Sequence, residues 1–278
     1  MNRLRLVRML ARRASFARWF LRGVLRIRPL DDRTIDFDAK YNVDTSGFIP
    51  SWLLHSGEGG AYLGCHTGSL RLALDAIPLS VSYAFYDVGC GKGRAAVIAT
   101  EYPFRAIVGI ELSPMLAKIA KRNAETINQC YPDRKKIEII TLNATEFLWP
   151  PGDKIVFMYH PFGEAVVSKV IEDLLAATQN DNLFIIYGNP VYAARLDGDL
   201  QLSRWYASRM TESPETQALA EALVVWSNRT AKELGCVPLA GRDEPIRVIK
   251  PGQLADLVSG PTSTTSPLRG SGTRTFCT

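Results

Sequence analysis

The sequence predicts an α/β fold: a doubly wound, mostly parallel sheet, with a C-terminal antiparallel hairpin at its edge and a helical extension at the N-terminus. Three observations lead there. Between about residues 80 and 190, short apolar runs alternate with stretches of helical length, the pattern of βαβ units. Gly89, Gly91 and Gly93 follow the first of these runs and stand directly before a helical stretch. After the fifth run come LSRWYASRM and ALVVWSN, two strand-like segments that pair as a hairpin.

In chain order, residues 1–30 read as one helix ending near Pro29. At 100° per residue, Arg5, Arg8, Arg12, Arg22 and Arg26 share one face and Met9, Leu10, Phe16, Phe20 and Val24 the opposite one. Such a basic amphipathic helix docks on a membrane surface, meets an acidic partner (both through residues 1–28), serves as a presequence, or packs on the protein's own core. Residues 31–80 form a lead-in with loop character, with a short helix at 69–76 and a segment that closes over a ligand. The domain proper spans 81–250. Its strands are expected at 84–87, 105–111, 136–141, 154–160 and 182–188. Its helices are expected at 93–101, 113–129 and 164–178, with a short turn or helix at 145–147. Residues 251–278 are rich in Ser, Thr, Gly and Pro and read as a disordered tail.

Bulk properties narrow the function classes. The chain has 278 residues, 46% of them hydrophobic, enough for one sizeable core. No apolar run reaches the roughly 18 residues of a membrane span. Five scattered cysteines without a CxxC pair, and only three histidines, predict reduced thiols in a cytoplasmic protein and no metal centre. The net charge of +5 is a local feature, because residues 1–30 hold nine arginines and no acid. The remainder carries 24 basic against 28 acidic residues. That balance argues against a nucleic-acid groove.

The glycine loop carries the chemistry. Ligands of doubly wound sheets bind beyond the carboxyl ends of the strands, and glycines there let backbone approach them closely. A dinucleotide loop reads G-x-G-x-x-G. Here the spacing is Gly89-x-Gly91-x-Gly93, and Arg94 stands where the last glycine of that pattern belongs. Asp87 beside the loop repels a pyrophosphate but suits an ammonium group. Glu111, at the end of the second strand, can accept from both ribose hydroxyls. Together they point to a nucleoside carrying an amino acid.

The stretches DVGCGKG and VGIELSP resemble the first two motifs of class I S-adenosylmethionine-dependent methyltransferases, over roughly residues 60–190. The resemblance implies a Rossmann-like core that binds S-adenosylmethionine. Asp87 with the loop residues Gly89, Cys90, Gly91 and Gly93 would hold the methionine part, Glu111 and Leu112 the ribose side, and Asn143 and Ala144 the adenine edge. Tyr62, upstream, would lie against the sulfonium or the adenine, with His66 and Thr67 near the carboxylate. The fourth strand ends in FMYHPFGE, similar to the Asn/Asp-Pro-Pro-Tyr/Phe motif of amino-group methyltransferases. Pro161 and Phe162 match it, whereas Tyr159 and His160 replace its first two residues. Tyr159, His160 and Phe162 are therefore the candidate catalytic residues, with His160 either a proton acceptor or a strand cap. Asn189 and Tyr192 are weaker candidates for the same rim. The predicted activity is methyl transfer to a protein or small-molecule acceptor. The alternatives are a catalytically silent cofactor-binding scaffold and a nicotinamide-dependent oxidoreductase.

Overall fold

A computed structural model describes residues 32–54, 61–160, 162–211, 219–235 and 246–249. The basic N-terminal segment, Pro161 and the Ser/Thr-rich tail lie outside the described residues. The chain divides into two compact units, Met1–Lys40 and Tyr41–Thr278, and the main sheet belongs to the second.

The lead-in is more structured than a loop. It holds α1 (Asp32–Tyr41), the two-stranded antiparallel ribbon of β1 (Phe48–Ile49) and β2 (Tyr62–Leu63), the single turn α2 (Ser51–Leu54) and α3 (Thr67–Asp75). α3 starts two residues earlier than the apolar pattern indicates because His66 caps it, its Nδ1 accepting from the Ser69 N–H at 3.2 Å.

The core follows as β3 (Ala84–Val88), α4 (Arg94–Ala99), β4 (Ala106–Glu111), α5 (Pro114–Cys130), β5 (Ile137–Thr141), a 3-10 turn at Ala144–Glu146, β6 (Lys154–Tyr159), α6 (Glu164–Ala176), β7 (Leu183–Gly188) and α7 (Ala193–Asp197). β8 (Ser203–Thr211) and β9 (Leu219–Ser227) pair antiparallel as the expected hairpin. A further short strand, β10 (Ile246–Ile249), adds parallel to β8.

The sheet order is β10-β8-β9-β7-β6-β3-β4-β5. Strands β3 to β7 are mutually parallel and β9 runs against β7. This is the doubly wound, Rossmann-like arrangement, with the order reversing at β3, whose neighbours are β4 and β6. Burial explains the composition. β3 and β7 are buried at every position, as both-face coverage by helices requires. The edge strand β5 mixes buried and exposed positions. One face of the sheet packs α6 through Val167, Val170, Ile171 and Leu174 against Val156, Met158 and Ile185. Each such side chain contributes about 1.5–3 kcal/mol on burial. Ser113 caps α5, its Oγ accepting from the Leu116 N–H, with Pro114 at the first helical position.

Among the described residues, the expectation of reduced thiols is corrected at Cys130, which is disulfide-bonded, whereas Cys65 and Cys90 are free. Among the described residues, no helix is long and apolar enough to cross a membrane, and no group of three His, Cys, Asp or Glu residues is placed to hold a metal ion.

Candidate active site

A cavity opens at the carboxyl ends of β3, β4 and β6, on the strand where the order reverses. Its floor is the glycine loop. The Gly89 and Cys90 N–H groups both donate to the Ile110 carbonyl, at 2.9 and 3.0 Å, which pins the loop to β4. Gly91 has φ +57°, a left-handed conformation that costs a side-chain-bearing residue about 1–2 kcal/mol. A Cβ at that position would also strike the ring of Tyr62. Gly93 serves the helix instead: it is the N-cap of α4, in the left-handed region, and does not line the cavity.

Two carboxylates stand in this cavity with different partners. Glu111 is buried and saturated on one side. Its Oε2 accepts from the Gly91 N–H at 2.8 Å and its Oε1 from the Ser113 N–H at 2.7 Å. Asp87 is 3% exposed, and its Oδ2 has no hydrogen-bond partner. Burial pushes the Asp87 carboxyl up to about 8, the Glu111 charge adds to the rise, and the Ala96 backbone N–H opposes it. Both groups thus lie on one side of the sheet, flanking one space.

Above the loop sits a strap, residues 44–46, fastened from four directions. Lys92 Nζ donates to Asp44 Oδ1 at 2.6 Å and to the Ser46 carbonyl at 2.8 Å. Arg94, also buried, donates to Thr45 Oγ1 and the Thr45 carbonyl at 2.8 and 2.7 Å and to the Cys65 carbonyl at 3.2 Å. Asn123 Nδ2 donates to the carbonyls of Asp44 and Lys92. Tyr62 Oη donates to the Thr45 carbonyl at 2.6 Å. The guanidinium of Arg94 reaches the cavity wall, and Gly64 leaves it room: a Cβ there would lie 2.5 Å from Arg94 Cζ. Sequence reading treated Arg94 only as a break in a glycine pattern. The signal available was a pair of cations, Lys92 and Arg94, flanking Gly93 in an otherwise apolar βα unit.

The structure brings Tyr62, Asp87, Gly89, Cys90, Gly91, Glu111, Leu112, Tyr159 and Phe162 to the cavity lining. Tyr62 joins Leu54 and Leu116 in a small apolar cluster beneath the ribbon. The Cys90 thiol is buried and pushed well up by desolvation, as an uncharged wall group. Leu112 is 45% exposed at the mouth.

Other expected residues lie outside this lining. Asn143 and Ala144 do not line the cavity. The Asn143 Oδ1 accepts from the Thr145 N–H and Oγ1 at 3.1 and 2.9 Å, capping the 3-10 turn, and Ala144 is buried in the core. His160 does not line it either. It follows β6 with φ +41°, so the chain turns there and sends the imidazole toward Tyr187 and Tyr192. Its Nδ1 is 3.3 Å from Tyr187 Oη, and its ring lies 5.7 Å from that of Tyr192. Tyr187 Oη also accepts from the Tyr192 backbone N–H. Burial lowers the His160 pKa. His66 is likewise a helix cap, and Asn189, with φ +47°, turns the chain after β7.

Phe157, Tyr159 and Phe162 form the remaining wall. The Tyr159 ring lies on Gly188, where a Cβ would meet its Cδ2, so the neighbouring strand's glycine fixes the ring's position.

No protein-family model matches the chain, and no curated protein matches it. Among solved structures it is similar to a TehB-like S-adenosylmethionine-dependent methyltransferase from Corynebacterium glutamicum, at 18% identity and a TM-score of 0.40, over 57% of this chain and 86% of that one. It is similar to the 23S rRNA methyltransferase ErmE at 17% identity and a TM-score of 0.41, over 62% and 69%. It is also similar to a ribosomal protein L11 methylase from Lactobacillus delbrueckii subsp. bulgaricus at 12% identity and a TM-score of 0.41, over 58% and 77%. The likeness concerns the strand arrangement alone, and what the cavity binds is read from its own side chains.

Proposed function

We propose that this chain binds S-adenosylmethionine and transfers its methyl group to a protein or small-molecule acceptor. The observation that carries the reading is Asp87 Oδ2, a buried oxygen with no hydrogen-bond partner, on a residue that lines the same cavity as Glu111. A buried polar atom left unpaired costs about 1–3 kcal/mol, so a native site that keeps one is built for a donor that arrives. The residues fit the cofactor. Asp87 would take the ammonium of the amino-acid arm. Glu111, whose oxygens accept the Gly91 and Ser113 N–H groups, would accept the ribose hydroxyls. The bare backbone edge at Gly89 and Gly91 would lie against the methionine part, and Leu112 beside the nucleoside.

The bound cofactor supplies an electrophilic methyl on a sulfonium. The chain's own contribution is alignment and exclusion of water. Phe157, Tyr159 and Phe162 give the acceptor an aromatic wall, and Tyr62 and the strap cover the glycine loop. A nicotinamide dinucleotide suits this site less well, because it has no ammonium group to offer Asp87.

The test is a thermal-shift comparison of S-adenosylhomocysteine with NAD, followed by transfer from methyl-labelled cofactor to protein and metabolite pools. A ligand at 100 times its dissociation constant adds about 2.7 kcal/mol of stability. Stabilisation by S-adenosylhomocysteine alone, with label transferred, supports the reading. Stabilisation by NAD alone overturns it, and tight S-adenosylhomocysteine binding with no transfer to any pool points to a silent scaffold.

A further inference from the structure

Asp87 and Glu111 occupy one cavity but meet opposite demands. Glu111 receives two backbone N–H donors, one on each oxygen, and that environment holds a carboxylate in its ionised form. Asp87 has its Oδ2 enclosed without a donor, beside that negative charge. A second carboxylate charge in the same buried space would leave two anions against one cation, Arg94, among the described lining residues. On the glycine loop and just ahead of α3, Cys90 and Cys65 are thiols held uncharged by burial. At the end of β6, Tyr159 is a phenol pushed upward by burial. On β2, Tyr62 directs its hydroxyl to Thr45. On α4, Arg94 directs its N–H groups to Thr45, Ser46 and Cys65. The Ala96 N–H favours ionised Asp87.

We propose that the free protein holds Asp87 as the neutral acid, its proton on Oδ2, and that the ammonium group of the incoming cofactor displaces that proton. The inference rests on the cofactor reading above and adds to it how the site tells ligands apart. The step balances simply. The O–H bond at Oδ2 breaks, the proton leaves to solvent base, and an N–H of the ammonium takes its place against the new carboxylate. The local charge at Asp87 and its partner is the same before and after, a proton having been exchanged for an ammonium. A ligand with the same nucleoside but no ammonium leaves the proton where it is and gains nothing from Asp87. Asp87 is thereby the residue that selects for the amino-acid arm, and recognition of that arm is paired with release of a proton.

The experiment is isothermal titration calorimetry on the full chain with S-adenosylhomocysteine, at about pH 6.5 where an α-amine is still charged, in buffers of different ionisation enthalpy. The expected result is about one proton released per molecule bound, seen as a binding heat that tracks the buffer. 5′-Methylthioadenosine, which has the nucleoside and lacks the amino-acid arm, should bind more weakly with a buffer-independent heat. Asp87→Asn should bind S-adenosylhomocysteine without proton release. A second measurement needs no ligand and no variant: carboxyl carbon NMR of the free protein through a pH titration should find Asp87 titrating near 8. S-Adenosylhomocysteine binding with a buffer-independent heat, or an Asp87 that titrates near the ordinary value of 3.8, overturns the proposal. Failure of S-adenosylhomocysteine to bind in any buffer counts against the cofactor reading itself and removes this inference with it.

Discussion

The ring of Tyr62 occupies the space that a side chain on Gly91 would need, while its hydroxyl donates to the Thr45 carbonyl at 2.6 Å. One tyrosine therefore joins the strap to the glycine loop, and the absence of a Cβ at position 91 is what lets it do so. Gly91→Ala should lower stability by about 1–3 kcal/mol, from the left-handed φ and the displaced ring together. Gly91→Val should also abolish S-adenosylhomocysteine binding in a thermal-shift assay. A double-mutant cycle with Tyr62→Ala separates the two terms, because only the ring clash is relieved. A cycle with no coupling would remove Tyr62 from the account.

Glu111 holds two backbone N–H groups at once. Glu111→Ala leaves both without an acceptor and should lower stability by about 2–4 kcal/mol, in urea denaturation, as well as weakening S-adenosylhomocysteine binding at least tenfold. Glu111→Gln, which keeps one carbonyl acceptor, should fall between that variant and the original. An affinity equal to the original in Glu111→Ala would end the ribose assignment.

Asp87 sets a pH dependence whose sign follows from its folded and unfolded values. Its folded pKa is about 8, against 3.8 in a free carboxyl, so between those values the folded chain binds the extra proton. Its contribution to the free protein's stability is therefore fully present below about pH 4 and is lost as pH rises toward 8. Asp87→Asn should remove that slope and stabilise the free protein at alkaline pH. Parallel melting curves of the two proteins across pH check it, and equal slopes would contradict it.

Arg94 is a planar donor set matched to two carbonyls and a hydroxyl. Arg94→Lys keeps the charge and loses that geometry, so it should behave nearly as badly as Arg94→Met, with a loss of about 2–4 kcal/mol. Hydrogen exchange should then rise in residues 44–46 before it rises in the sheet. Full retention of stability in Arg94→Lys would show that charge alone matters there.

His160 faces Tyr187 rather than the cavity, so His160→Ala should leave S-adenosylhomocysteine affinity within about threefold of the original, or ~0.7 kcal/mol. Nitrogen NMR should find the His160 Nδ1 resonance moved by Tyr187→Phe, which removes the hydroxyl 3.3 Å away. The folded pKa of His160 lies below 6.5, so the unfolded chain takes the proton first, and stability is lost as pH falls through 6.5. An Nδ1 resonance unmoved by Tyr187→Phe would remove that hydrogen bond from the account.

The sheet was legible because its strands are buried on both faces and must be continuously apolar, as β3 and β7 are. The carboxylates were legible because Asp87 and Glu111 stand at fixed places relative to two strand ends. Side-chain direction was not. His160 and Asn143 occupy the expected positions, but a left-handed turn aims one elsewhere and a capping bond consumes the other. The strap was invisible because its partners Lys92, Arg94 and Asn123 are 46 to 79 residues away, and no local pattern marks Asp44 or Thr45 as their target. The ribbon of β1 and β2 escaped notice because two-residue strands are too short to show alternation.

Those long separations also order the chain's assembly. Asp44 leaves the ribosome well before Lys92, and earlier still than Asn123, yet it is tied to both. Closing spans of that length is entropically slow, and the receiving surfaces exist only once β3, β4 and α5 are in place. The ligand chamber is therefore finished last, by the part of the second unit that was synthesised first.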